Sequence, residues 1–543
     1  MDRARWSALA LTIAAMLGLG AGCATFEHQQ SSDTVRWPDD LVTTSERSGY
    51  QATESQAEVS TLLDRIAERS PIATRATLGY TSQGREIPLL ILADPPVTTA
   101  AQAHESGKMI VYLQASIHGG EVCGKPAIIE LARDIALNKH SPDRDLLDTM
   151  ILVMGPVYNA DGNDRMAVGN RGPSQNGPAM GMGERANAQG LDLNRDHMKL
   201  ESPEAQSLAT FLTEWNPHLT IDMHTTDGSK HQFALTYAQP QNPSGNAGPI
   251  ELLRDRMLPA VSGRLEKRTG LRTFFYGNFD KSHTIWATYS HKPRFATPYR
   301  GLRNRLSILS EAYAYSTYQE RVIATREFVL ECLRYASEHE NEIVKTLDRA
   351  ERETVDAPKG EAGQLVGIRY TIAKFDTPVT IPGFERVVDA AGKPTGELAP
   401  RNYVVSHFGD FTPTLSVTRP YAYLIPMEYG RIVDKLRQHG VRVTLFSSAH
   451  SVDTETYTID SVQRADRPFQ GHRLATVEAT PTRAMREWPA GTWVVPMDQP
   501  LANLVVYLLE PESDDGLATW GFFDDDLAAG DVFPVARALA PMD

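Results

Sequence analysis

Apolar positions along the chain fall into short continuous runs separated by stretches of helical periodicity. Val59, Leu62, Leu63 and Ile66 recur at helical spacing and predict an amphipathic helix over Gln56–Ser70, stopped by Pro71. Strand candidates follow at Ile87–Ala93, Met109–Ser116, Met150–Gly155, Leu219–Met223, Leu271–Tyr276 and Leu306–Leu309, with helical stretches such as Ala127–Asn138 between several of them. Alternation of this kind predicts an α/β layer fold with a largely parallel sheet. Ligands of such sheets collect beyond the carboxyl ends of the strands. Gln319–Leu347 reads as one long amphipathic helix, and 348–363 as a charged, proline-marked boundary. Beyond it the pattern turns β-rich, with strands expected at Val366–Ala373, Tyr403–His407, Thr454–Ile459, His472–Ala479 and Thr492–Val495. One βαβ unit is expected there: Tyr421–Ile425, a helix through Glu428–His439, and Val441–Phe446.

The start of the chain has a different pattern. A positive flank, Asp2-Arg3-Ala4-Arg5, precedes an apolar run from Trp6 to Gly20, as in a secretory signal peptide. It ends Leu19-Gly20-Ala21-Gly22-Cys23, which resembles the bacterial lipobox, so residues 1–22 are expected to be removed and Cys23 to carry lipid. Polar residues 23–50 then read as a tether. Ala24 after the cysteine favours an outer-membrane lipoprotein of the cell envelope, facing periplasm or exterior. The expected organisation is therefore signal peptide (1–22), lipid-anchored tether (23–50), catalytic domain (51–347) and β-rich C-terminal domain (364–543). No other stretch approaches the ~20 apolar residues that span a bilayer.

Composition narrows the function. The 543 residues carry 54 Lys plus Arg against 68 Asp plus Glu, a net charge of −14, which argues against nucleic acid as a partner. Three cysteines exclude a disulfide-built scaffold.

The chemistry gathers at strand ends. Met109–Ser116 runs into Ile117-His118-Gly119-Gly120-Glu121, where two glycines permit a tight turn that lets His118 and Glu121 face one pocket. An imidazole and a carboxylate suit zinc, whose catalytic sites take three protein ligands and leave one position open. His-x-x-Glu alone is weak: His339-Glu340-Asn341-Glu342 has the same spacing within a charge-dense helix and reads as a solvated face. His224 closes the strand after Leu219-Thr220-Ile221-Asp222-Met223 and supplies the third ligand, whereas His197, His218, His231, His283 and His291 read as structural. Glu311 ends a further strand, where a carboxylate can move a proton between water and a leaving amine.

These residues stand in an ordered series: Gly79-Tyr80-Thr81-Ser82-Gln83-Gly84-Arg85, His118-Gly119-Gly120-Glu121, Asn159-Ala160-Asp161-Gly162, Asp192-Leu193-Asn194-Arg195, His224 and Glu311. The series resembles the M14 family of zinc carboxypeptidases, large bacterial members with a C-terminal extension included. The resemblance implies a mixed central sheet of about eight strands flanked by helices, and one zinc ion held by His118, Glu121 and His224. It implies Glu311 as general base and acid, Asp192 as the carboxylate that orients the first imidazole, and Asn194 with Arg195 as the clamp on the substrate's terminal carboxylate. Arg171 is the expected oxyanion cation, with Arg165 and Arg185 in the same interval. Gly120 stands where pancreatic-type members carry an Arg that assists substrate binding. Tyr289, Tyr299 and Tyr313 are candidates for the substrate-capping tyrosine. The expected substrates are peptides or, alternatively, peptidoglycan stem peptides; a zinc-bearing binding protein without catalysis is the alternative of another class. The C-terminal region, with its run Leu508-Leu509-Glu510-Pro511-Glu512 through Asp515-Gly516, shows no metal or nucleophile constellation.

Overall fold

The computed structural model describes residues 35–170 and 175–542. The signal peptide, Cys23, the first part of the tether and Arg171 lie outside the described residues. Trp37–Asp543 forms one compact unit. Among the described residues no helix is long and apolar enough to cross a membrane.

The strands in the first part of this unit are β1 (Ala73–Tyr80), β2 (Glu86–Leu92), β3 (Met109–Ala115), β4 (Met150–Gly155), β5 (Leu219–Thr226), β6 (Leu235–Ala238), β7 (Thr273–Phe275), a short hairpin β8 (Asn278–Phe279) and β9 (Ile285–Ala287), and β10 (Leu306–Tyr313). A mixed eight-stranded sheet has the order β1-β2-β4-β3-β5-β10-β6-β7. Its middle is parallel, β4 with β3, β3 with β5 and β5 with β10. The chain passes from β3 to β4 on one side and then crosses to β5 on the other, which opens a crevice at the carboxyl ends of β3 and β5.

Period-two alternation divides the sheet between two cores. Met109, Val111 and Leu113 of β3, with Met150, Leu152 and Met154 of β4, face the helices Gln56–Arg69, Gly124–Leu137, Leu258–Thr269 and Tyr318–Glu338. Ile110, Tyr112, Ile151 and Val153 face the other way. There they join a cluster containing Leu208 and Phe211 of helix Pro203–Glu214 together with Tyr423, Leu436, Val505 and Trp520 of the C-terminal region.

That region adds β11 (Leu365–Lys374), β12 (Val379–Val388), β13 (Pro394–Thr418), β14 (Ala422–Ile425), β15 (Thr444–Leu445), β16 (His450–Arg464), β17 (Ala475–Trp488), β18 (Trp493–Pro496) and β19 (Ala536–Ala538). The second sheet, β11-β13-β9-β8 with β12 on β13, draws strands from both sides of the expected boundary. The third, β15-β18-β14-β19-β16-β17, belongs to the C-terminal region alone. The β-rich extension is thus continuous with the catalytic part through a shared core and a shared sheet.

Three expectations are revised. The tether does not extend to residue 50: Asp39–Leu41 and Thr44–Arg47 are helical turns, Leu41 is buried in the core, and Ser45 Oγ lies 2.8 Å from the Tyr318 hydroxyl. Thr43 and Glu46 form a reciprocal capping box there, a signal hidden in a polar stretch. The helix Gln319–Leu347 is two helices, Tyr318–Glu338 and Glu340–Asp356, broken at His339, whose ring packs 4.1 Å from that of Tyr335. Apolar periodicity continues across the break and conceals it. The βαβ unit exists in split form: β18 lies between β14 and β15, antiparallel to both.

Candidate active site

His118 lies just past β3, His224 within the last turn of β5, and Glu311 opposite it on β10, where Glu311 and His224 are register partners. Sheet pairing therefore brings residues 118, 224 and 311 to one edge. The turn that carries His118 is held by close backbone packing. A Cβ on Gly119 would lie 2.3 Å from Gly162 C and 2.4 Å from Asn163 N, and one on Gly183 2.4 Å from Gly162 O, so three chain segments stack where only glycine fits. Asn159 Oδ1 accepts the Gly162 N–H, and Asp161 accepts from the Thr81 hydroxyl at 2.9 Å and from Arg85 at 2.6 Å. The segments Gly79–Arg85 and Asn159–Gly162 thus brace the ligand turn and lie behind the reacting centre.

His118, Glu121 and His224 are buried, with one ligand atom from each within 4.8 Å of the others. Glu121 bridges the rings: Oε1 is 3.0 Å from His118 Nδ1 and Oε2 is 2.8 Å from His224 Nδ1. The opposite ring nitrogens face carboxylates, His118 Nε2 at 3.0 Å from Asp192 and His224 Nε2 at 3.1 Å from Asp222. A proton on His118 Nε2, bonded to Asp192, leaves its Nδ1 lone pair directed at the same space as a Glu121 oxygen, and His224 Nδ1 faces that space as well. Two imidazole nitrogens and a carboxylate with carboxylate support behind both rings fit zinc, the metal of catalytic His/His/Glu sets.

Asp192 carries several roles. Burial disfavours its charge, but the His118 hydrogen bond and the guanidinium groups of Arg195 and Arg185 outweigh this and hold its carboxyl well below the usual range. It also accepts the Asn194 N–H at 2.9 Å, closing the turn that presents Asn194 and Arg195. Asn194 Oδ1 accepts the Ala296 N–H at 2.8 Å, and the Arg195 guanidinium lies over the Phe295 ring at 3.9 Å.

These side chains line a cleft of about 440 Å³ together with Glu311, Arg185, Tyr276, Tyr289, Phe295, Thr297 and Leu309. Phe295 meets Tyr289 edge to face at 5.5 Å and Tyr289 meets Tyr276 at 5.8 Å, so an aromatic wall runs from Arg195 into the cleft. Asp227 is exposed at the rim.

Of the three arginines in the 164–189 interval, Arg165 pairs with Glu184 at 3.4 Å, while Arg185 enters the cleft, 2.8 Å from Asp192 and 3.6 Å from Glu121. Of the three tyrosines, Tyr289 lines the cleft, Tyr299 is buried with its hydroxyl 2.9 Å from His439, and Tyr313 packs on His231. His339 is half-buried at the helix break, and Glu342 pairs with Arg256. Cys123 and Cys332 are buried free thiols. Sequence reasoning missed Asp222, Phe295 and Tyr276. Asp222 had a visible signal, two residues before His224 on the same strand face; the two aromatics had none.

Strand-end imidazoles, a bridging carboxylate and an arginine-lined cleft define a metallohydrolase centre. Residues 59–247 match the family described as zinc carboxypeptidase, Peptidase_M14. Carboxypeptidase 2 of Trichophyton tonsurans is 24% identical over 476 residues, covering 84% of this chain and 81% of that protein. Carboxypeptidase Z of Homo sapiens is 32% identical over 174 residues, 31% of this chain and 25% of that protein. Among solved structures, a metallo-carboxypeptidase from Burkholderia cenocepacia aligns with a TM-score of 0.40 at 17% identity, over 53% of this chain and 70% of that one. Glu311 lies beyond the matched span, so its place in the site rests on the β5–β10 register.

Proposed function

We propose that the protein is a zinc carboxypeptidase that removes single residues from the free C-terminus of peptides, with a preference for apolar and aromatic residues. The observation that carries this reading is the meeting of His118, Glu121 and His224 with Glu311, Asn194 and Arg195 in one cleft. One zinc ion, when bound by the first three, supplies a Lewis acid that acidifies water and polarises a carbonyl. Glu311 accepts the proton of the attacking water and returns it to the nitrogen of the departing residue. Asn194 and Arg195 receive the terminal carboxylate, for which a planar guanidinium gives directional pairing. Arg185 is the cation for the oxyanion in this reading, because it enters the cleft beside Glu121. The wall of Phe295, Tyr289 and Tyr276, with Leu309, carries no charged group and favours an apolar side chain at the substrate's last position.

Mass spectrometry of peptides ending in Phe, Leu, Ala, Lys or Asp, as free acids and as amides, tests this, with a muropeptide alongside and a chelator control. Loss of one residue, fastest from Phe and Leu acids and abolished by chelation, is expected. Equal cleavage of amides would remove the carboxylate clamp; chelator-insensitive cleavage would remove the metal. Faster turnover of the muropeptide than of any peptide would move the substrate to peptidoglycan. The N-terminal pattern supports a second element of the proposal, anchoring of the enzyme to the cell envelope by lipid on Cys23. Cys23→Ser is expected to abolish incorporation of labelled fatty acid, and undiminished labelling would exclude Cys23 as the site.

A further inference from the structure

The C-terminal run ending Asp515-Gly516 has no part in the chemistry above, yet it packs directly behind a segment that lines the cleft. Asp515 is fully buried and accepts the Arg294 backbone N–H at 2.6 Å and the Arg294 Nε–H at 2.7 Å, with Trp520 Nε1 donating to it at 3.0 Å. The Arg294 guanidinium lies over the Trp520 ring at 4.6 Å. The next two residues after Arg294 are the ones that hold the clamp: Phe295 under Arg195, and Ala296 donating to Asn194. One carboxylate from the C-terminal region therefore fixes the backbone on which both clamp residues rest.

A second contact comes from the connection between β16 and β17. Gln470 Oε1 accepts the N–H of Asp192, the residue that opens the Asp192–Arg195 turn, at 2.7 Å. Gln470 (φ 50°) and Gly471 (φ 84°) are both left-handed and form a two-residue turn closed by hydrogen bonds in both directions between Phe469 and His472. Such turns select Gly, Asn and Asp, and a glutamine held there is an outlier of the kind that collects at functional sites.

We propose that the C-terminal region is a working part of the substrate site, with Asp515 and Gln470 as positioning residues that hold the Asn194–Arg195 clamp at two separate points. This rests on the reading that Asn194 and Arg195 bind the terminal carboxylate.

Gln470→Gly tests it without threatening the fold, because glycine suits the turn while the contact to Asp192 is lost. The zinc-loaded full-length protein is expected to keep its metal content and unfolding temperature. Its KM for a free-acid peptide is expected to rise by about tenfold with kcat changed less than about twofold, and its preference for acid over amide to shrink in proportion. Asp515→Asn is expected to act in the same direction, and more strongly than Arg294→Gln, which leaves the bond from the residue 294 backbone N–H to Asp515 in place. Unchanged KM and acid-to-amide ratio in both single variants would overturn the proposal. So would an equal loss on acid and amide accompanied by loss of metal, which marks a general structural role. Failure of the clamp reading itself shows in the wild-type protein, as equal cleavage of acid and amide before any variant is made.

Discussion

Glu121 lies between two imidazoles whose far nitrogens face carboxylates, and this fixes the orientation of three side chains without any exposed contact. Glu311 differs from it in setting, for it lines the open cleft on a separate strand. The two carboxylates should therefore separate by experiment. Glu311→Gln is expected to retain bound zinc by elemental analysis while kcat falls about 10²–10⁴-fold, the range ascribed to a positioned acid–base group; near-normal kcat would remove it from the reaction. A third carboxyl shows what burial does without function. Glu130 has no hydrogen bond at Oε1, and burial with the nearby charge of Glu46 raises it to about 8 against the opposing Arg133 and Arg326. A raised folded-state value stabilises fully below about pH 4.5, and the contribution is lost as pH rises through 8. Glu130→Gln is accordingly expected to gain about 1–3 kcal/mol over wild type in urea unfolding at pH 8 and nothing at pH 4. Parallel stability curves for the two proteins across that window would refute the assignment.

At the scale of elements, the site is a product of strand order: β3, β5 and β10 lie side by side and in parallel, so residues at 118, 224 and 311 meet. Much of this was legible, because β3, β4 and β5 are runs of apolar residues bounded by turn signals, and the metal and acid–base candidates sit where such runs end. Gly119 and Gly162 were legible only as parts of motifs and Gly183 not at all, since nothing local announces that three backbones touch. Gly119→Ala is expected to destabilise by about 2 kcal/mol or more and to weaken zinc retention, because its Cβ meets main-chain atoms that have no rotamer to yield. Calorimetry with and without zinc checks this, and an unchanged transition would mean that the turn relaxes freely. Arg185 illustrates the limit of spacing arguments. Three arginines share one Gly- and Asn-rich interval, and only the folded path of that loop separates the one that reaches Asp192 from the one that pairs with Glu184. The break at His339 and the packed segment 37–50 stayed hidden for the converse reason, periodicity that continues through a kink and a cap embedded in polar sequence.

For the whole molecule, the second face of the catalytic sheet is covered in part by the C-terminal region; Tyr112, Ile151 and Val153 share their core with Tyr423, Leu436 and Trp520. Each such side chain is worth about 1.5–3 kcal/mol when removed from water. β19 holds a central place in the third sheet, paired on one side with β14 and on the other with β16. A chain ending before Ala536 is therefore expected to lose both pairings and to be recovered without peptidase activity and with raised protease sensitivity. Full activity in that truncation would show the sheet to be dispensable. Among the described residues β14 and β16 do not pair with each other, so the three-residue β19 alone joins β15-β18-β14 to β16-β17, and a single short segment near residue 537 decides whether the third sheet is one body or two.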